Sequence, residues 1–154
     1  FALNYMRSKG IKRKGYFFDL FTGFSNQASK DSSDAFWAES HGGTPVEVVR
    51  HFLSKFKNSK VEILDIITDD IPSDIKKIAV ANIDVDMYEA VLCALEKVAV
   101  LMPKFGIIIS EDQGHTPMIG GAFLATQEFL KSATGKLFLP IHLSSGQMYL
   151  IKVA

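Results

Sequence analysis

The stretch that decides the fold is "KIAVANIDVDMYEAVLCALEKVAVLMPKFGIIISED", residues 77–112. It opens with a nearly continuous apolar run, 77–85, the pattern of a central parallel strand covered on both faces. Apolar residues then recur at helical spacing over 88–102 and stop at Pro103, which cannot continue a helix. A second apolar run, 105–112, follows. Strand, helix and strand in that order predict a parallel crossover, so the fold class is α/β. Each strand ends in acid: Asp84 and Asp86 after the first, Glu111 and Asp112 after the second. Alone, Asp84 or Asp86 reads as a cap for the helix that follows. Together the four carboxylates read as a site.

Working outward, "GYFFDLFTGF" (15–24) predicts a strand and "SNQASKDSSD" (25–34) a polar loop, with Ser33 or Asp34 capping a short helix through "AFWAE". "PVEVVRHFLSKF" (45–56) predicts an amphipathic helix with Thr44 as N-cap, Pro45 in the first position, and Val46, Val49, Phe52, Leu53 and Phe56 on one face. "VEILDIIT" (61–68) predicts a strand and "GGAFLATQEFLKSA" (120–133) a helix. "KLFLPIHL" and "QMYLIKVA", separated by "SSG", predict a closing antiparallel pair. The alternation describes a mostly parallel sheet in one domain spanning 1–154.

Composition narrows the function classes. The 154 residues are 47% hydrophobic, enough for a proper core. Lys+Arg and Asp+Glu are each 17, so the basic excess of nucleic-acid binders is absent and no nucleic-acid partner is expected. The single cysteine, Cys93, excludes an internal disulfide and a cysteine-rich metal site. The apolar run around Cys93 is broken by Glu96 and Lys97, so no membrane span is expected. No signal peptide is visible, and the cytoplasm is the expected location. The sequence leaves oligomeric state, including a homo-oligomer, open.

In open α/β sheets ligands bind beyond the carboxyl ends of the strands. Asp19 lies there on the first visible strand, Thr68, Asp69 and Asp70 past the second, and the four central acids past the third and fourth. Crowded carboxylates raise one another's proton affinity or require a cation. An all-oxygen donor set suits magnesium, calcium or manganese. His115, three residues past Asp112, is a candidate base or ligand. "SSDAFWAESHGGTP" (32–45), with Phe36, Trp37 and His41, is the expected lid over a small-molecule acceptor.

The run "IDVDMYEAVLCALEKVAVLMPKFGIIISEDQGHTPMIGGAFLATQEF" (83–129) resembles the macrocin O-methyltransferase family, enzymes with a Rossmann-like, class I methyltransferase sheet that depend on S-adenosylmethionine. The likeness rests on acid-x-acid-x-Tyr-Glu at Asp84, Asp86, Tyr88 and Glu89, on the pair Glu111–Asp112, and on "FFDLFTGF" around Asp19. It implies a sheet with a C-terminal antiparallel hairpin and methyl transfer to a hydroxyl of a sugar or natural-product-like molecule, assisted by Mg. It implies that Asp19 holds the ribose hydroxyls of S-adenosyl-L-methionine, with Thr68, Asp69 and Asp84 completing the cofactor set. Asp84, Glu111 and Asp112 become the magnesium ligands, and Asp84, Asp86 and His115 the catalytic groups. The family pattern differs at Glu111, where Asp is usual, at "KFG" (104–106), where a glycine pair is usual, and in "ILDIITDD" (63–70), which lacks a glycine. The family's first strand and glycine-rich loop are expected upstream of Phe1. Two rival readings are a metal-dependent glycosyltransferase using acid-x-acid, and a non-catalytic remnant of the methyltransferase fold.

Overall fold

The computed structural model describes residues 2–24, 30, 35–114 and 120–154, which fall into two compact units. The first contains Phe1–Ser25 and Glu39–Asp65, the second Asn26–Ala38 and Ile66–Ala154.

In the first unit α1 (Ala2–Ser8), β1 (Gly15–Asp19), α2 (Val46–Leu53) and β2 (Ser59–Ile63) follow in order. β1 and β2 pair in parallel, from Gly15 opposite Ser59 to Asp19 opposite Ile63. Leu3, Leu53 and Phe56 form the core, with Met6, Val49 and Val61 packed against it. β1 is shorter than the predicted 15–24 because Asp19 folds back on the chain. Its Oδ1 accepts the Phe21 N–H at 2.6 Å, and Phe21 takes a left-handed φ of 59°. Such a side-chain turn competes with strand pairing. α2 corrects two further expectations. Its N-cap is Pro45, extended at ψ 138°, whose carbonyl accepts the Val48 N–H, so Thr44 does not cap it. Phe52, expected on the buried face, is 63% exposed under the Lys55 ammonium, 4.1 Å from its ring centroid.

The second unit holds β3 (Val80–Ile83), α3 (Tyr88–Leu101), β4 (Ile107–Ser110), α4 (Gly120–Lys131), β5 (Phe138–His142) and β6 (Met148–Lys152). Its sheet has the order β3-β4-β6-β5. β3 and β4 are parallel, whereas β6 is antiparallel to both β4 and β5. The crossover and the closing hairpin thus lie where the sequence put them. Pro140 is tolerated in β5 because that strand ends the sheet. Leu95 and Ala99 of α3, Ala125 of α4, Ile108 and Leu150 are completely buried. Burying a leucine or isoleucine side chain stabilises by about 1.5–3 kcal/mol, so this helix–sheet layer supplies the firmest part of the unit.

β3 was expected to be central. Among the described residues it pairs with β4 alone, and Val80 is 61% exposed. The predicted strand 61–68 is also cut short, with its last residues in a turn of the second unit. The cause is a lysine on α3. Lys97 Nζ donates to the carbonyls of Ile66, Ile67 and Asp69 at 2.8, 3.2 and 2.7 Å. One ammonium thereby gathers the carbonyls of Ile66 and Ile67, which a strand would point in opposite directions, together with that of Asp69 just beyond.

Candidate carboxylate site

β3 and β4 run parallel and in register, Ile83 opposite Ser110, so their following residues emerge side by side. The Glu111 N–H extends the ladder by one bond, donating to the Ile83 carbonyl at 3.0 Å. Beyond that point the chains turn, and Asp84, Asp86 and Asp112 come together. One carboxylate oxygen from each lies within 4.8 Å of the others. Asp84 is exposed, Asp86 half-buried and Asp112 buried.

Two of the three acids sit on unusual backbone. Asp86 has φ 57° and Asp112 φ 54°, both left-handed. Asp86 is the middle of a three-residue turn closed by the Met87 N–H on the Val85 carbonyl at 2.6 Å. That turn with positive φ is rare and strained. It also removes the helix-cap reading: the N-cap of α3 is Met87, with no side-chain acceptor in place. The residue that the sequence offered as a cap instead turns toward the other acids.

The crowding has an electrostatic signature. The Asp86 carboxyl is raised from an ordinary 3.8 to about 7, first by burial, then by the charge of Asp112 and a hydrogen bond shared with it, and last by the charge of Asp84. Near neutral pH this carboxyl therefore exchanges a proton readily. The other answer to the same repulsion is a divalent cation. The donors are all hard oxygens, and the site meets the chemical requirement for magnesium, calcium or manganese.

Glu111, expected among the ligands, is not in this group of three. Its Oε2 accepts the Gln147 side-chain N–H at 2.7 Å, which ties it to the start of β6. Nearby, the Tyr88 hydroxyl donates to the Glu128 carboxylate, and that bond holds the phenol above its usual range. Glu89 Oε2 is buried with no hydrogen-bond partner among the described residues. His115 lies outside the described residues. Thr68 and Asp69 are exposed on the turn over Lys97, with Thr68 Oγ1 3.4 Å from Asp69 Oδ1. Phe36, which packs edge-on against Trp37, is 78% exposed.

In the first unit Asp19 lines a cavity of about 270 Å³ with Phe21, His41, Gly43, Thr44 and Val49. In the same unit Gly23, at φ 65°, lies so close to the chain at 40–42 that a Cβ would stand 2.2 Å from the Ser40 carbonyl oxygen. His41, named above in the expected lid, is exposed on its loop, where it packs on the Phe24 ring at 4.9 Å with its Nδ1 2.6 Å from Ser40 Oγ.

Sequence reasoning passed over the polar frame behind the acids. Gln113, fully buried, belongs to it, as do His142 and Gln147. A glutamine three residues past a strand carries no motif, and only the partners brought by the β5–β6 hairpin and α4 reveal its task.

The architecture has solved counterparts. A structure of the O-methyltransferase NovP matches 99% of this chain with a TM-score of 0.78 at 17% identity. The fold is that of a Rossmann-like methyltransferase. A crystal structure of CalS11, a calicheamicin methyltransferase, matches 97% of the chain with a TM-score of 0.63 at 20% identity. The apo structure of CalS11, described as a TDP-rhamnose 3'-O-methyltransferase of calicheamicin biosynthesis, gives 0.59 at 18% identity over 97%. The chain spans 66% of the length of each of these structures. The glycosyltransferase reading gains nothing from these matches. No protein-family model matches the chain, and no curated protein does.

Proposed function

We propose that the protein is an S-adenosyl-L-methionine-dependent, Mg-assisted O-methyltransferase acting on a hydroxyl of a sugar or natural-product-like small molecule. The observation that carries the reading is the convergence of Asp84, Asp86 and Asp112 at the mouth of two parallel strands in a methyltransferase fold. The likeness to O-methyltransferases supports the reaction class. When bound, S-adenosylmethionine supplies an electrophilic methyl group and a divalent cation lowers the pKa of the acceptor hydroxyl.

The chain's own residues divide the remaining work. Asp84 and Asp112 would hold the cation. Asp86, half-buried beside them, is assigned to accept the proton that the hydroxyl gives up. Glu111, with one oxygen on Gln147, braces the strand ends rather than the cation. In the first unit Asp19, on its 270 Å³ cavity, is proposed for the ribose hydroxyls, because a carboxylate accepts from both members of a vicinal diol. Thr68 and Asp69 are assigned to the same cofactor, and His115 to a second proton-accepting role. The lid role for Phe36 and Trp37 rests on the exposure of the Phe36 ring, which packs edge-on against Trp37.

The test is calorimetry with S-adenosylhomocysteine, with and without Mg²⁺, followed by methyl transfer to a panel of sugar and phenolic hydroxyls. Binding of S-adenosylhomocysteine and Mg²⁺-dependent methylation that disappears in Asp84→Asn support the reading. Failure to bind under either condition ends it.

A further inference from the structure

The backbone of Asp112, which faces Asp84 and Asp86, is left-handed, a conformation that aspartate enters more readily than most residues but that still costs energy. Two peptide groups adjoin its Cα, and the structure shows what fixes each. The carbonyl of the 111–112 peptide accepts a bond from Gln113 Nε2 at 2.8 Å. The N–H of the 112–113 peptide donates to the Gly146 carbonyl at 2.7 Å. Both planes are thus held, one by a side chain and one by the closing hairpin.

The Gln113 side chain is itself firmly set. It is fully buried, and its Nε2 also reaches the Ala122 carbonyl at 3.2 Å and Ser110 Oγ at 3.1 Å. Its Oε1 has no partner among the described residues. The reversed amide would set that oxygen against the Glu111 and Ala122 carbonyls, so two carbonyl acceptors fix the orientation seen. The Gln113 main-chain carbonyl is in turn held by His142 Nε2 at 2.8 Å, from β5.

We propose that Gln113 is the positioning residue of the carboxylate site: it locks Asp112 left-handed and so aims its carboxylate at Asp84 and Asp86, with His142 anchoring the same loop from outside. The cation role of the three acids is the reading given above, and this inference rests on it for its functional consequence. Without the bond to the Glu111 carbonyl, the 111–112 peptide turns over, Asp112 relaxes to a right-handed conformation, and one of the three carboxylates leaves. Residues that orient metal ligands without touching the metal alter affinity about 10–100-fold when replaced.

Gln113→Met keeps the length and fills the buried space but cannot donate. Two readouts apply to it. The first is metal-free: NMR couplings and carbon shifts of Asp112, which report the sign of φ. Loss of the positive φ supports the proposal, and its retention overturns it, whatever the metal does. The second is Mn²⁺ binding to the whole chain, expected to weaken about tenfold or more while the thermal midpoint stays near that of the wild type. Equal Mn²⁺ affinity in wild type and variant overturns the positioning role. No Mn²⁺ binding by the wild type overturns the cation reading instead, and the NMR result alone then decides for Gln113. Should Gln113→Met not fold, Gln113→Leu, which likewise cannot donate to the Glu111 carbonyl, takes its place and is read in the same two ways.

Discussion

Replacing Asp86 by Asn should make the cation-free protein more stable at pH 8. Asp86 is raised from 3.8 to about 7 by burial and by Asp112 and Asp84. The sign follows from proton counting. Between pH 3.8 and about 7 the folded chain holds the Asp86 proton and the unfolded chain releases it, so stability falls as pH rises through that window. Above about pH 7 the loss is complete. A shift of this size corresponds to about 4 kcal/mol at full value. Asp86 is only half-buried, so solvent screening reduces the effect to about 1–2 kcal/mol. Asparagine tolerates the positive φ, and its amide can still donate to Asp112, so the substitution removes the charge with little else. Urea unfolding of chelator-treated protein is the assay. Asp86→Asn should gain about 1–2 kcal/mol at pH 8 and only about a few tenths at pH 4. Saturating Mg²⁺ should stabilise the wild type and cancel the gain. An effect equal at both pH values, or a loss of stability at pH 8, would show that the three carboxylates do not repel one another as described.

Other expectations follow from single contacts. Lys97→Met leaves three carbonyls without their shared donor and should lower stability by about 2 kcal/mol, read from the urea midpoint. Gly23→Ala should cost about 2 kcal/mol or more, because its Cβ would meet the Ser40 carbonyl oxygen at 2.2 Å and its φ is 65°. A wild-type thermal midpoint in that variant would contradict the close approach of residues 23 and 40–42. Phe52→Ser should change stability by no more than about 0.5 kcal/mol, since the ring is 63% exposed. A loss of several kcal/mol would return Phe52 to the core face that its spacing implied.

Much of the second unit was legible in residues 77–112. Apolar runs of strand length flanking a helical repeat specify a parallel crossover, because both the periodicity and the handedness of the connection are local properties. The acids at the strand ends were legible for the same reason: in a parallel sheet, residues that follow adjacent strands emerge together. Which of them converge was less so. Four carboxylates were expected, and Asp84, Asp86 and Asp112 meet while Glu111 turns to Gln147. A bond between residues 36 positions apart leaves no trace in the local pattern.

The failures share that origin. Strand 61–68 was read from its apolar residues, yet a lysine on α3 folds its end into a turn. Thr44 looked like a cap, yet Pro45 is extended and takes the cap position. The helix face that named Phe52 followed the correct period, but spacing alone does not say how wide a stripe the neighbouring strands cover.

The sequence alone determined the order of strands and helices, the acidic strand ends and the resemblance to methyltransferases, since periodicity, breakers and motifs act within a few residues of one another. Tertiary structure decided the left-handed turns at Asp86 and Asp112 and the hold of Gln113 on the loop behind them. Those conformations are unfavourable locally. They persist because partners from β3, α4 and the β5–β6 hairpin hold them, and such partners meet only in the folded chain.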